Sequence, residues 1–284
     1  FRRVLFRSLE KFNLKPDLIA SHGHTVFHQP KLSFTSQIGS GAAIASLTGI
    51  NTVSNFRVQD VVLHGQGAPL VPIGDALLFN EFTHYLNLGG IANISYDFRN
   101  KRIASDLCFC NMPLNLIAGF KGKDYDKDGQ LASKGNINTA LLNRLMSAPF
   151  SKRQFPKSLG REDFENELLP HINAVSCSAE DKLRTVCEYI VRQLKTLKTL
   201  NTKNATMLVT GGGAFNKFLM GLMQKQLSCK IYIPSDEIVA FKEALIFAFL
   251  GLLRYRDEIN VLNSVTGARN NTVSGALYSG KKSG

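Results

Sequence analysis

Two apolar strands in this chain end on adjacent glycines, and no other feature restricts its fold as tightly. Leu86-Asn87-Leu88-Gly89-Gly90 turns directly into Ile91-Ala92-Asn93-Ile94-Ser95, and Met207-Leu208-Val209-Thr210 runs into Gly211-Gly212-Gly213. Glycine pairs at strand ends let backbone amides close on a phosphate without a Cβ in the way. Two such turns imply an α/β sheet with a nucleotide clamped between two lobes, and hence phosphoryl transfer. Either turn alone reads more readily as a tight turn of an ordinary α/β sheet.

Composition narrows the class further. With 284 residues, 44% of them hydrophobic, the chain can bury one large or two medium cores, which excludes disordered and fibrous classes. The longest apolar stretches, such as 244–253, reach only half of the ~20 residues of a bilayer span, so no membrane partner is expected. Cys108, Cys110, Cys177, Cys187 and Cys229 form no C-x-x-C pair and are odd in number, which favours a reducing cytoplasm over a disulfide framework. Cys108 and Cys110, two apart, read as small buried thiols on one strand face rather than metal ligands. The net charge is +12, but the lysines and arginines are scattered, with no basic run interleaved with aromatics. Solvated surface charge that helps anionic substrates is expected, and nucleic-acid binding is not. Phe1 to Ser8 look like a translated sequencing adapter, so the natural chain is expected to begin near Leu9. Without Arg2, Arg3 and Arg7 the charge falls from +12 to +9.

Along the chain, residues 9–13 read as the end of a helix, 18–20 as a buried strand and 21–25 as a loop. A small-residue helix at 42–47, a strand around Thr52 and Val53, and a helix at 73–79 follow. Strands restart at 86–88, 91–96 and 103–107, with a hairpin turn at Arg99-Asn100-Lys101. Helices over 139–146 and 179–197 carry apolar residues at three- and four-residue spacing. A strand at 207–209, a helix at 217–226, a strand at 231–233 and a hydrophobic helix at 241–253 complete an α/β or mixed α+β pattern.

Several residues are candidates for chemistry. His22, His24 and His28 lie in one segment, but their spacing favours loop structure over a metal site. In Gly65-Gln66-Gly67-Ala68-Pro69 the glycines allow close backbone approach, and Gln66 can donate and accept. Arg57 and Asp60 follow a strand end where open α/β sheets place ligands, a surface ion pair being the alternative. Asp106 closes the strand 103–105 ahead of a Leu-Cys-Phe-Cys-Asn run, where partial desolvation suits a base; a cap or turn role fits the spacing equally. Asp124-Tyr125-Asp126-Lys127-Asp128-Gly129 opens like a calcium loop but has Gly135 at the twelfth position, so a helix start or hinge is expected instead. Glu237 and Glu243 flank the entry to the last helix, with Glu243 placed as an exposed or ligand-facing carboxylate.

Taken together, Ser-His-Gly-His-Thr-Val-Phe-His-Gln-Pro at 21–30, Gly-Gln-Gly-Ala-Pro-Leu-Val-Pro at 65–72 and Asn-Leu-Gly-Gly-Ile-Ala-Asn-Ile-Ser at 87–95 resemble the anhydro-N-acetylmuramic acid kinases. Tyr-Asp-Lys-Asp-Gly at 125–129, Pro-Lys-Ser-Leu-Gly-Arg-Glu at 156–162, Gly-Gly-Gly-Ala-Phe-Asn at 211–216, Glu-Ala-Leu-Ile-Phe-Ala at 243–248 and Ser-Val-Thr-Gly-Ala at 264–268 match in the same order. The resemblance implies the actin-like, sugar kinase and Hsp70 type of ATPase fold, two ribonuclease H-like lobes with the first incomplete. Residues 9–81, joined by 264–284, would form the remainder of the first lobe, and 82–263 the second. It implies an enzyme that adds water to open the 1,6-anhydro ring of a cell-wall muramic acid sugar while phosphorylating O6, with ATP and Mg²⁺ as cofactors. Another sugar kinase or phosphatase of the same fold, or a binding protein without turnover, is the alternative. A homodimer is compatible with the resemblance.

Residue by residue, Asp106 aligns with the catalytic aspartate. Arg57, Gln66 and Glu243 look like sugar contacts, and Arg57 suits the lactyl carboxylate. Gly89, Gly90 and Asn93 resemble the second phosphate loop, and Gly211, Gly212 and Gly213 the adenosine-side loop. Members commonly show Asp-Thr-Gly-Pro-Gly-Asn where this chain has Asp-Leu-Cys-Phe-Cys-Asn at 106–111. An aspartate is common at the positions of Asn115 and Asn55. The N-terminal Gly-Thr-Ser-Leu-Asp-Gly phosphate loop is not matched, so a truncated, inactive chain with unpaired sheet edges is expected.

Overall fold

The computed structural model describes residues 11–13 and 15–280. The adapter-like opening, the start near Leu9 and residues 281–284 lie outside the described residues. The chain divides into two compact units: one runs through Asn80 and resumes at Glu243, and the other is Glu81–Lys242.

The first unit holds a three-stranded sheet. β1 (Leu18–Ser21) pairs parallel with β4 (Asn51–Ser54), and β10 (Ala276–Tyr278) joins β4 antiparallel. Between β1 and β4 lie a hairpin of β2 (His24–Gln29) and β3 (Phe34–Ile38) and helix α1 (Gly41–Thr48). The hairpin starts at His24, inside the 21–25 segment that reads from sequence as a loop, and runs on through residues to which the sequence reading gives no strand. Its strands bury almost nothing and slip register at Thr25–Phe27, so no alternating pattern marks them. Helix α1 starts where the Ser40 hydroxyl accepts the Ala43 amide and stops at Gly49, left-handed at φ 71°. Two helices follow, α2 (Val58–Val62) and α3 (Val71–Leu78). Val53, Phe56, Leu70, Ile73, Ile246, Phe247 and Leu250 form the core of this unit.

The second unit is built on a five-stranded mixed sheet, β7-β6-β5-β8-β9. β5 (His84–Leu88), β6 (Ile91–Phe98) and β7 (Lys101–Phe109) meander antiparallel, and β8 (Thr206–Thr210) and β9 (Lys230–Tyr232) add parallel to β5. Three meandering strands extended by two parallel ones are the arrangement of a ribonuclease H-like lobe. The β6–β7 turn forms at Arg99 and Asn100, both left-handed, as a two-residue hairpin requires. Helix α4 (Asn111–Gly119) leaves β7, and α5 (Thr139–Ser147), α6 (Ala179–Lys195) and α7 (Lys217–Gln226) cover the sheet. In α6 the Ser178 cap and the acids Glu180 and Asp181 sit at the N-terminus and Arg192 and Lys195 at the C-terminus, matching the dipole. Its buried stripe of Leu183, Val186, Ile190 and Leu194 packs in a core with Leu86, Ile94, Met207 and Val209.

Two expected boundaries shift. Strand β7 does not close at Ser105 but runs to Phe109, with Asp106 inside it. The last hydrophobic helix, α8 (Asp236–Tyr255), begins five residues before 241, because its first turn is acidic rather than apolar. The division between the units falls within α8, at Lys242 and Glu243.

Candidate active site

The second unit gathers most of the candidates at one end of its sheet. Parallel strands β5 and β8 finish side by side, Asn87 opposite Thr210, so the Gly89-Gly90 turn and the Gly211-Gly213 run meet there. The fit needs glycine. A Cβ on Gly213 would stand 2.6 Å from the Leu88 Cβ and 3.1 Å from the Leu88 oxygen. Gly211 has φ 83°, and its Cβ would meet the Asn87 Oδ1 at 2.5 Å. The carbonyls of Gly89 and Gly90 are taken by the start of α4: Asn111 N donates to Gly89 O, and Cys110 N and Met112 N to Gly90 O. Asn111 also donates its Nδ2 to Leu88 O at 2.9 Å, which ties the helix start to the β5 end. From sequence, Asn111 stands only as the last residue of the 106–111 run.

Asp106 lies two strands away in the same sheet. The β6–β7 pairing slips at this point, Ala92 facing Cys108 and Asn93 facing Asp106, so Leu107 is surplus. Such a bulge re-aims the strand. Asn93 also faces Asn87, which faces Thr210. Thr210, Asn87, Asn93 and Asp106 therefore form a transverse polar row across four strands, because register partners leave a sheet on one face. Asp106 Oδ2 accepts the Leu159 amide at 2.8 Å, and Oδ1 takes no hydrogen bond among the described residues. The backbone is held by the same loop: Asp106 N donates to Lys157 O, and Ser105 Oγ bonds both Lys157 N and Lys157 O. Burial raises the Asp106 carboxyl above the usual range, offset by the Leu159 hydrogen bond and the Lys157 charge. The 157–160 loop is thus the element that seats Asp106, and from sequence it stands only as a matching block with no role assigned.

The Leu-Cys-Phe-Cys departure is internal. Leu107, Cys108, Phe109 and Cys110 are all fully buried, as expected of the two thiols, and burial pushes the Cys108 thiol up to about 12. Phe109 packs edge-on against Phe150 and Phe164 at 5.0 and 5.5 Å, rings that flank the 157–160 loop in sequence.

A pocket of about 350 Å³ adjoins the glycine run, lined by Asn111, Asn115, Tyr125, Asp126, Asp128, Gly212, Gly213 and Asn216 among others. Asp126 does not start a calcium loop. Its two carboxylate oxygens accept the Leu131 and Ala132 amides at 2.8 and 2.9 Å, fixing the turn that carries Tyr125 and Asp128. Asp128 pairs with Lys217 at 3.3 Å.

The first unit holds the remaining candidates. Arg57, at the start of α2, donates Nε to His22 Nε2 at 2.9 Å and Nη1 to Gly67 O. Asp60 makes no surface ion pair with it. This carboxylate is fully buried, accepting Gly67 N at 2.7 Å and the Thr266 hydroxyl at 2.6 Å, and so staples the glycine loop. Gln66 donates its amide to Thr266 O and leaves its side chain exposed. Glu243 on α8 is exposed and acts electrostatically on both Arg57 and His22. The sequence reading did not single out His22 for this contact. Among the described residues no cluster of three His, Cys, Asp or Glu can hold a metal ion, and no helix is long and apolar enough to cross a membrane.

A family model described as anhydro-N-acetylmuramic acid kinase matches residues 3–280. The anhydro-N-acetylmuramic acid kinase of Vibrio parahaemolyticus serotype O3:K6 is 39% identical over 277 residues, 92% of this chain and 74% of the relative. That of Pseudomonas fluorescens is 37% identical, covering 95% of this chain and 78% of its own. That of Caldanaerobacter subterraneus subsp. tengcongensis is 33% identical, covering 98% and 78%. Among solved structures, the activator of the 2-hydroxyisocaproyl-CoA dehydratase from Clostridium difficile with bound ADPNP superposes at a TM-score of 0.48 with 14% identity, over 90% of this chain and 81% of that one.

Proposed function

Because the chain belongs to the anhydro-N-acetylmuramic acid kinase family, we propose that it is an ATP-dependent kinase that opens the 1,6-anhydro ring of anhydro-N-acetylmuramic acid with water. It phosphorylates the released O6, giving N-acetylmuramic acid 6-phosphate and ADP in the recycling of cell-wall sugar. The observation that carries this reading is the setting of Asp106, one oxygen anchored and the other open on the polar row. Its Oδ1 takes a proton from water as the water oxygen bonds C1. The C1–O6 bond breaks, and O6 attacks the γ-phosphorus as ADP leaves. A carboxylate raised by burial is a stronger base than an ordinary one, provided it is ionised.

ATP is assigned to the second unit. Its adenosine end belongs in the pocket beside Gly211, Gly212 and Gly213, since Asp126 and Asp128 would repel phosphates but accept hydrogen bonds from ribose hydroxyls or an amino group. The phosphates lie toward Gly89, Gly90 and Asn93. Mg²⁺ comes with the nucleotide, because an ion of this kind keeps most of its waters and leans on phosphate oxygens. Arg57, Gln66 and Glu243 of the first unit bind the sugar. Five free cysteines, four of them buried, are compatible with action in the cytoplasm.

The test is ATP-dependent phosphorylation of 1,6-anhydro-N-acetylmuramic acid by the full-length protein, with Asp106→Asn beside it. Turnover is expected in the parent, with a loss of about 10²-fold or more in kcat for the variant and nucleotide affinity retained. No turnover in the parent overturns the substrate assignment.

A further inference from the structure

In the first unit, the Arg57 guanidinium is gripped on two sides. Nε donates to His22 Nε2 at 2.9 Å and Nη1 to Gly67 O. His22 is itself fixed: Nδ1 lies 3.0 Å from Gly23 O, and a carbonyl oxygen only accepts, so Nδ1 carries the proton. The neutral ring then has its lone pair on Nε2, the atom that receives the Arg57 Nε–H. The ring stands edge-on to Phe247 at 4.6 Å, which blocks its rotation. Among the described residues, two of the five guanidinium N–H groups are used. The outer edge, with one N–H of Nη1 and both of Nη2, remains for a planar two-oxygen acceptor.

We infer that His22 is a positioning residue for substrate recognition: in its neutral form it holds the outer edge of Arg57 toward the carboxylate of the sugar. The inference rests on the proposed sugar role of Arg57 and adds how that role is set and when it fails. A protonated ring presents an N–H to the Arg57 N–H, so the hydrogen bond is lost and two like charges meet. The groups that face His22 are Arg57 ahead of α2, Glu243 on α8, His24 on β2 and the Gly23 carbonyl. His28, which bonds the Thr35 hydroxyl at 3.1 Å, faces Arg57 from β2. Burial is the largest influence on His22 and favours the neutral form, aided by Arg57 and His24 and opposed by Gly23 and Glu243. The grip is therefore present at neutral pH and released only in acid, below the ordinary imidazole range.

The experiment uses the full-length protein and two sugars: 1,6-anhydro-N-acetylmuramic acid, and 1,6-anhydro-N-acetylglucosamine, which lacks the lactyl carboxylate. His22→Ala is expected to raise KM for the first sugar about tenfold at pH 8, the size of one lost charge-assisted contact, with a smaller effect on kcat. Calorimetric affinity for the second sugar is expected to stay as in the parent. His22→Gln supplies an acceptor that does not titrate; it is expected to restore most of the lost affinity and to abolish the rise of KM in acid. If Arg57→Ala raises KM while His22→Ala and His22→Gln leave it and its pH profile unchanged, the inference falls and the sugar contact stands. If Arg57→Ala leaves both sugars unaffected, the contact itself is wrong and the inference falls with it. Equal losses on both sugars in His22→Ala, with no rescue by glutamine, overturn it as well, since they mark general damage. Should the alanine variant fail to fold, the pH profile of the glutamine variant decides.

Discussion

At the scale of single residues, the candidate base is tuned by a lysine whose influence no sequence spacing reveals. Lys157 is nearly buried, its Nζ donates to Phe150 O at 2.9 Å, and its charge lowers the Asp106 carboxyl against the upward push of burial. Lys157→Met keeps the length and removes the charge, so Asp106 titrates higher. The acid limb of the kcat/KM profile is expected to move to higher pH, because the base must be ionised and is lost as pH falls through its raised value. Stability is expected to drop by about 1–3 kcal/mol, since the Phe150 carbonyl loses its donor. A pH–rate profile and a denaturant titration check the two parts. An unmoved limb would mean that Lys157 serves packing alone.

At the scale of elements, the glycine-ended strands discriminate between neighbours in one run. A Cβ on Gly213 collides with Leu88, whereas one on Gly212 meets only Asn111 Nδ2 at 3.5 Å, an ordinary contact. Gly213→Ala is expected to lower stability by about 1–3 kcal/mol, as overpacking does, and to weaken ATP binding by forcing β8 from β5. Gly212→Ala is expected to leave the melting temperature near that of the parent. Melting curves and nucleotide titration of both variants test this. The strands themselves are plain in the sequence, because 207–209 is an uninterrupted apolar run and Leu86 and Leu88 alternate with Asn87 ahead of a glycine pair, and α6 and α7 are plain because stripe and cap coincide. The β2–β3 hairpin is not, since it buries nothing that a pattern could register. Nor is the length of β7, whose bulge breaks the alternation that marks a strand.

For the molecule as a whole, His84 makes stability depend on acidity. Its ring is buried, bonds the hydroxyls of Thr83 and Thr199, stacks on Tyr96, and is lowered to about 4 by burial and then by Arg102. The unfolded chain takes up a proton near 6.5 where the native one does not. The contribution is therefore complete above that value and is lost as pH falls toward 4, a span worth about 3 kcal/mol. Urea unfolding at pH 7.5 and 4.5 is expected to show this difference for the parent and a smaller one for His84→Asn. Asp106 and the glycine runs of the second unit could be read from sequence because they stand in contiguous motifs. His22 and Lys157 could not be assigned roles, since each acts through a partner 35 or 51 positions away in the chain. One consequence concerns insertions and deletions rather than substitutions. From Asp106 to Asn111 the chain passes from a polar sheet face, across a surplus residue, to a helix start tied to Gly89. The identities of the four buried residues between them can change where their volume is kept. Their number cannot, because a gain or loss of one residue would detach either the carboxylate or the helix from its seat.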